Sequence, residues 1–446
     1  MRSTPWSVLG ILCAGFFMTL LDTSIVNVAV PAVQAGLGAG FDEVLWVVNA
    51  YLLALAVPMI AAGRLGDRFG PKRLYLAGLV LFTVASGLCG AATTVHELIA
   101  ARALAGVGAA VLGPQTFAFI TMLFPPDRRG TALGVWGMVA ALSTVTGPLL
   151  GGVLVDSLGW RWIFLVNLPI GAVVVVLTLI HAPDPRPGAH HRFDLPGTVL
   201  ICLALLAISF GLLEGERYDW GTVAGPVTIP LVLAAGVLLL AAFVALQRVA
   251  DREPLIPARL FADRNFTVAT VVMACFGFAM IGLALPLTIY LQTVLGMAPS
   301  RAGTVLAVAS LASGVASPIV GRLSDRIGAK PLVVLGLTGY ATGLTGVASQ
   351  AGAGANPWRL VPFLIVTGLG IGCVFVLMAG LAVRDLDPGL AGAASGVFNT
   401  TRQIGSVLGS AAIGALLQNR LAAHPDAAGA LRETTILPVA VTVPAR

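Results

Sequence analysis

Apolar residues run along this chain in stretches of about twenty, near 6–33, 43–63, 74–92, 96–121, 131–156, 162–182, 195–215, 224–247, 267–293, 300–321, 332–350, 359–383 and 391–419. Twenty helical residues, at about 1.5 Å each, cross the ~30 Å hydrocarbon core of a bilayer. Thirteen membrane-spanning helices are therefore expected. Gly and Pro recur inside the runs, which bilayer helices tolerate because small residues let neighbours approach closely. One position breaks the pattern. The segment LDTSIVNVAVP, residues 21–31, puts a carboxylate, Asp22, deep inside the first run. A charge at the centre of a bilayer helix costs at least ~2.5–3.5 kcal/mol, so Asp22 must have compensation.

The polar spacers give an orientation. With the N-terminus placed inside, most of the 26 Lys and Arg residues fall in inner loops, as the positive-inside rule requires. Trp46, Trp160, Trp162, Trp220 and Trp358 then lie near outer helix ends, where an aromatic belt forms.

Two of the inner spacers repeat. Residues 63–74 read GRLGDRFGPKRL and residues 321–332 read GRLSDRIGAKPL, an offset of 258 residues. Each follows the second helix of its half. Two parallel repeats with a site between them near the midplane is a transporter architecture. The fold expected is an all-α polytopic membrane protein with two bundles. The N-terminal bundle (helices 1–6) occupies 1–182, and 183–266 is an inserted pair, helices 7 and 8. The C-terminal bundle (helices 9–13) occupies 267–419, with an atypical tail at 420–446. The offset maps helix 6 onto 420–440, where Arg420, His424, Pro425, Asp426, Arg432 and Glu433 fall. Helix 14 is therefore expected to be missing or vestigial.

Composition agrees. The chain is 57% hydrophobic and 10% charged, against about 25% charged in soluble domains. A net charge of +6 spread over short loops argues for membrane orientation and against nucleic acid. Each of the five cysteines stands alone in an apolar run, without metal or redox spacing. His181, His190 and His191 fall in or beside the loop 183–194 and read as solvated residues rather than a metal site. There is no HExxH, GxSxG, phosphate loop or GxGxxG, so neither an enzyme nor an ATP-driven pump is expected within this chain.

Asp22 lies roughly 24 Å up helix 1 from the inner side, and Arg102 roughly 9 Å down helix 4 from the outer side, at 1.5 Å per residue. Those depths nearly coincide. An Asp22–Arg102 pair and a shared aqueous cavity both satisfy them, as does a static ion pair that fixes packing. A guanidinium nearby favours a carboxylate's charged form and desolvation its neutral form, so a site that alternates between such surroundings loads and releases a proton. Arg402 shares one helical face with Ser395, Asn399 and Ser406. That stripe reads equally as cavity lining and as an interhelical hydrogen-bond seam. In the repeated loops, Gly63 and Gly70 allow tight turns. Asp67 and Arg68, like Asp325 and Arg326, can pair across the halves or meet helix ends, and Lys72 adds inner charge. Gating and plain positive-inside anchoring are the two readings. Gly147, Pro148, Gly151 and Gly152 of GPLLGG give helix 5 a smooth, kinkable face. Asn27, Asn49, Gln115, Asn167 and Gln292 are candidate cavity groups or satisfied structural amides. Glu97, Asp156 and Glu214 read as interfacial.

These segments together resemble the major facilitator superfamily, and within it the fourteen-helix drug:proton antiporters. LDTSIVNVAVP is similar to that family's helix 1 motif, GRLGDRFGPKR to the loop motif after helix 2, and RALAGVGAA (102–110) to the helix 4 motif, with Ala105 where glutamine is common. GPLLGG resembles the antiporter motif of helix 5. WRWIFLVNLPIG (160–171), YLQTVLG (290–296) and NTTRQIG (399–405) are similar to later signatures. The resemblance implies alternating access between two bundles, with inward protons exchanged for outward drug. Asp22 would be the proton-binding acid, Arg102 its coupling partner, and Asp67 and Arg68 part of a conformational lock. No cofactor is implied beyond the proton gradient. The expected partners are a small drug-like substrate, protons and the lipid bilayer. A monomer in a bacterial cell membrane is expected, with the N-terminus cytoplasmic. Two rivals stand beside multidrug export: an exporter of one natural metabolite, and a transport-incompetent or sensory protein, the latter because of the tail.

Overall fold

The computed structural model describes residues 4–184, 194–215, 217–249, 255–297, 299–350, 356–384, 386 and 390–423. The histidines at 190 and 191 and the tail from 424 onward, where helix 14 was sought, lie outside these residues.

Helix boundaries follow local chemistry. Thr4 caps α1 (Pro5–Leu37), which starts on a proline and stops at Gly38 in the left-handed region. A span bent by 45° follows, made of α2 (Phe41–Ala56) and α3 (Met59–Phe69). The break falls at Pro58, which has no N–H to donate and is poorly tolerated inside a helix. Then come α4 (Pro71–Ala91), α5 (Val95–Leu123) and α6 (Pro126–Leu158). Thr94 and Glu97 form a capping box at the start of α5. A short α7 (Trp162–Leu165) leads into α8 (Asn167–His181). The pair α9 (Leu195–Glu214) and α10 (Ile229–Val249) pack on each other. The stretch 222–228, read partly as helix from its apolar character, is instead a two-stranded hairpin turned at Gly225, φ +54°. After a short α11 (Ala258–Ala262) come α12 (Arg264–Ile289), ending in a π-turn at Tyr290–Val294, then α13 (Pro299–Ile327), α14 (Ala329–Gln350), α15 (Val361–Ala382) and α16 (Ala391–Ala423).

Among the described residues, eleven helices are long and apolar enough to cross a bilayer, and the α2–α3 pair makes a twelfth. The 33-residue α16 is a further long helix of lower hydropathy. The molecule is thus an all-α polytopic membrane protein.

The repeated segments are less loop-like than their sequence suggests. Gly63 to Phe69 form the end of α3, and Gly321 to Ile327 the end of α13. The turn between helices shrinks to one glycine in each case, Gly70 (φ +92°) and Gly328 (φ +84°), which occupy backbone conformations other residues rarely adopt.

The two bundles meet where α6 packs along α13 and α3 crosses α16, with smaller contacts of α15 on α6 and α16 on α5. One apolar core runs across this junction, from Phe16, Phe117 and Trp136 to Val376, Leu377 and Phe398.

Candidate functional site

Asp22 and Arg102 meet. Arg102 Nη1 donates to Asp22 Oδ2, and both side chains are 1% exposed. The guanidinium also donates through Nε to the Val47 carbonyl of α2 at 3.1 Å. It lies over the Tyr51 ring, 4.1 Å from the centroid, with Phe164 5.7 Å away on another side. The Tyr51 hydroxyl returns to α1, donating to the Thr19 carbonyl at 2.9 Å. An ion in a low-dielectric interior needs a counter-charge and further hydrogen bonds, and this cage supplies both from α1, α2 and α5.

The pair stands behind the wall of a cavity of about 400 Å³ between the bundles, not in it. Thr19, Thr23 and Asn27 of α1 and Tyr51 of α2 line that cavity, whereas Asp22 and Arg102 do not. Its other walls are Trp136, Ser143 and Thr144 of α6, Ser310, Ser313 and Ser317 of α13, Phe375 of α15, and Asn399, Arg402 and Gln403 of α16. The volume suits a drug-sized molecule.

On α6, α13 and α16 the cavity begins one or two turns from two clasps that join the halves. Asp67, in the last turns of α3, accepts hydrogen bonds from the Gly392 and Ala393 amides at the start of α16, each at 3.0 Å. A helix N-terminus presents unpaired N–H groups and positive dipole charge, a natural seat for a carboxylate. Asp325, its repeat partner, accepts from the Gly130 and Thr131 amides near the start of α6, each at 3.0 Å, and from Thr131 Oγ1 at 2.8 Å. Each clasp needs bare backbone beside it. A Cβ on Gly63 would strike the Gly392 carbonyl, and one on Gly321 the Gly130 carbonyl. Lys72 donates to the Leu179 and Ala182 carbonyls at 2.9 and 2.7 Å, capping the end of α8. Arg68 lies over the Phe69 ring, and Arg326 borders a groove with Arg322 and Trp6.

GPLLGG packs α6 onto the helix that carries Asp22. Gly147 faces Ser24 and Gly151 faces Ile25, each too near for a Cβ, and Ser24 Oγ donates to the Ser143 carbonyl at 3.2 Å. Pro148 lies within the helix, while Gly152 faces open space.

Of the polar side chains sought in a cavity, Asn27, Asn399 and Arg402 line it. Four others lie elsewhere. Asn49 donates to Glu214, buried at the end of α9, at 2.7 Å, joining α2 to α9. Gln115 donates to the Ala62 carbonyl at 2.9 Å beside Gly66. Asn167 donates to Ser86 Oγ at 3.0 Å. Gln292 sits in the π-turn at the end of α12. Sequence reasoning missed Thr19, Thr23, Tyr51 and Trp136 as wall residues, and Gly392, Ala393 and Thr131 as clasp partners. A faint signal was present for the clasps. RGTALGVW (129–136) and AGAASGVF (391–398) are a second repeat.

Comparison with known proteins gives one answer. The Major Facilitator Superfamily family description matches residues 12–410. An uncharacterized MFS-type transporter of Mycobacterium tuberculosis is 44% identical over 94% of this chain and 72% of its own length. The tetracenomycin C resistance and export protein of Streptomyces glaucescens is 34% identical over 94% of this chain and 77% of its own length. Among solved structures, a proton:xylose symporter of the superfamily superposes with a TM-score of 0.68, covering 98% of this chain and 94% of the symporter. At 13% identity it speaks for the fold alone. These are transporters rather than enzymes, and by sequence, fold and paired half-molecules the chain belongs to the Major Facilitator Superfamily.

Proposed function

We propose that this chain is a proton-coupled exporter of drugs, antibiotics or similar small amphipathic molecules, working by alternating access of its central cavity. The observation that carries this reading is the Asp22–Arg102 pair, enclosed immediately behind the cavity wall. Asp22 is the proton site. When it takes a proton, Arg102 loses its counter-charge but keeps the Val47 carbonyl and the face of Tyr51. Tyr51 both lines the cavity and is bonded to α1, so the change at the pair reaches the wall that touches substrate. Proton binding and substrate binding thereby favour different arrangements of one bundle. The Asp67 and Asp325 clasps hold the arrangement described here and must part for the cavity to open on their side. The proton gradient is the energy source and no cofactor takes part. The protein works as a monomer in a bacterial cell membrane, its N-terminus cytoplasmic.

The test is transport in proteoliposomes under an imposed proton gradient, with a panel of dyes and antibiotics. Gradient-dependent accumulation by the wild type, lost in Asp22→Asn, is expected. Accumulation that ignores the gradient or survives the substitution removes the coupling role from Asp22. The name of the tetracenomycin relative favours a second reading, export of one natural metabolite. Competition by many unrelated compounds in the same vesicles decides for the broader specificity.

A further inference from the structure

The cavity carries a charge that the coupling scheme does not use. Arg402 faces it from α16 with a buried Nε that finds no acceptor, and its guanidinium has no ion-pair or hydrogen-bond partner among the described residues. The seam read from its polar stripe is made by other members. Asn399 donates to the Ser395 carbonyl at 3.0 Å, and Ser406 donates to the Gly277 carbonyl at 3.2 Å. A second buried donor, Trp136 Nε1, also lacks an acceptor. The Trp136 ring lies between Phe16 and Phe375, with centroids 5.1 and 5.3 Å away. No carboxylate is among the described residues that line the cavity, and Asp22 is neutralised by Arg102 behind the wall.

Arg402 is half-buried, and a cation partly withdrawn from water without a counter-ion is costly. That penalty falls when a ligand in the cavity brings an oxygen to the guanidinium. The planar guanidinium fork matches a carboxylate in geometry as well as charge, and Phe16 and Phe375, which line the same cavity, offer apolar aromatic surface to a flat ring system. We propose that this cavity selects amphipathic aromatic anions, molecules carrying a carboxylate or phenolate on a flat apolar body, with Arg402 holding the anionic group and Trp136 bordering the ring system. The direction of their movement rests on the export reading; the charge preference belongs to the cavity itself.

Two xanthene dyes of similar shape and opposite charge, fluorescein and rhodamine 123, provide the test. Binding to the full chain in lipid nanodiscs is followed by fluorescence anisotropy, with empty nanodiscs correcting for partition. The wild type is expected to bind fluorescein at least about tenfold more tightly. Arg402→Gln should remove about that factor, the loss that accompanies one charge-assisted hydrogen bond, while Arg402→Lys keeps most of it. Tighter or equal binding of rhodamine 123 by the wild type overturns the proposal, as does undiminished fluorescein affinity in Arg402→Gln. If that variant does not fold, the wild-type dye comparison and Arg402→Lys decide. Selective binding without gradient-driven transport would sink the coupling reading alone. Asp22-dependent export of rhodamine 123 with fluorescein ignored would sink the anion preference alone.

Discussion

The two bundles share a scaffold and differ in charge. Gly108 packs against α4 at Gly78, and Gly370 against α14 at Gly336, in the same way. That register puts Leu364 of α15, fully buried, where α5 has Arg102. The 258-residue offset likewise carries Asp22 to Met280, and residues 276–280 of α12 hold no charge. The N-terminal bundle thus encloses a neutralised pair, and the C-terminal bundle turns one unneutralised cation, Arg402, toward the cavity. A pair shielded from the cavity can change protonation without meeting substrate. A cation at the wall can meet substrate without taking part in proton transfer. Duplicated helix crossings therefore preserve the frame, while a few side chains divide the labour.

The sharpest way to break this contrast is at Asp22. Asp22→Asn should reduce uphill transport to passive equilibration, as read in the same proteoliposomes. Uphill transport that survives the substitution would mean that the pair takes no part in coupling.

Next in size is the pair itself. Arg102→Met leaves a carboxylate buried without its counter-charge and should cost about 3–5 kcal/mol. Thermal unfolding in nanodiscs would register the loss, and adding Asp22→Asn should recover much of it. No recovery in the double variant would mean that Arg102 stabilises through its packing on Tyr51 rather than through the charge.

A third change makes the halves more alike. Met280→Glu places a carboxylate on the cavity wall that Arg402 shares. Fluorescein affinity should fall about tenfold and rhodamine 123 affinity should rise. Unchanged affinities would show that wall charge does not govern selection.

The smallest effect is expected at the clasps. Asp67→Asn weakens two hydrogen bonds to the start of α16 by about 1–2 kcal/mol in all. Hydrogen exchange across 390–396 should quicken about tenfold, with amides 130 and 131 unaffected. Asp325→Asn should do the reverse. Equal acceleration at both places would mean that the two clasps open as one unit.

Much of this was readable before any coordinates. The apolar runs foretold the long helices among the described residues, and the depth estimate placed Asp22 level with Arg102, because rise per residue and bilayer thickness are constants. The second clasp repeat was harder to read. Its matches, such as Gly130 with Gly392 and Gly134 with Gly396, are small residues in a chain with 53 glycines, where such coincidences are common. The candidate amides failed for another reason. Asn27 and Asn49 have the same chemistry and both lie in helices, yet one lines the cavity and the other joins α2 to α9. Nothing in residue type records which way a helix face turns. The bend at Pro58 and the helical ends of the repeated segments were lost to the same limit, since Gly and charge read as loop until packing holds them in a helix.

By itself, the sequence determined the long apolar helices, the duplication and the presence of a carboxylate that could not stand alone, since hydrocarbon thickness sets helix length and desolvation forbids an unpaired charge. Only the tertiary structure decided that Asp22 is enclosed by Arg102 rather than open to the cavity, and that Asp67 and Asp325 hold opposite halves. It also decided that Arg402 faces the cavity without a partner. The partners of Asp22 and Asp67 lie 80 and 325 positions away or nearly so, and only the packing of whole helices brings such distant groups together.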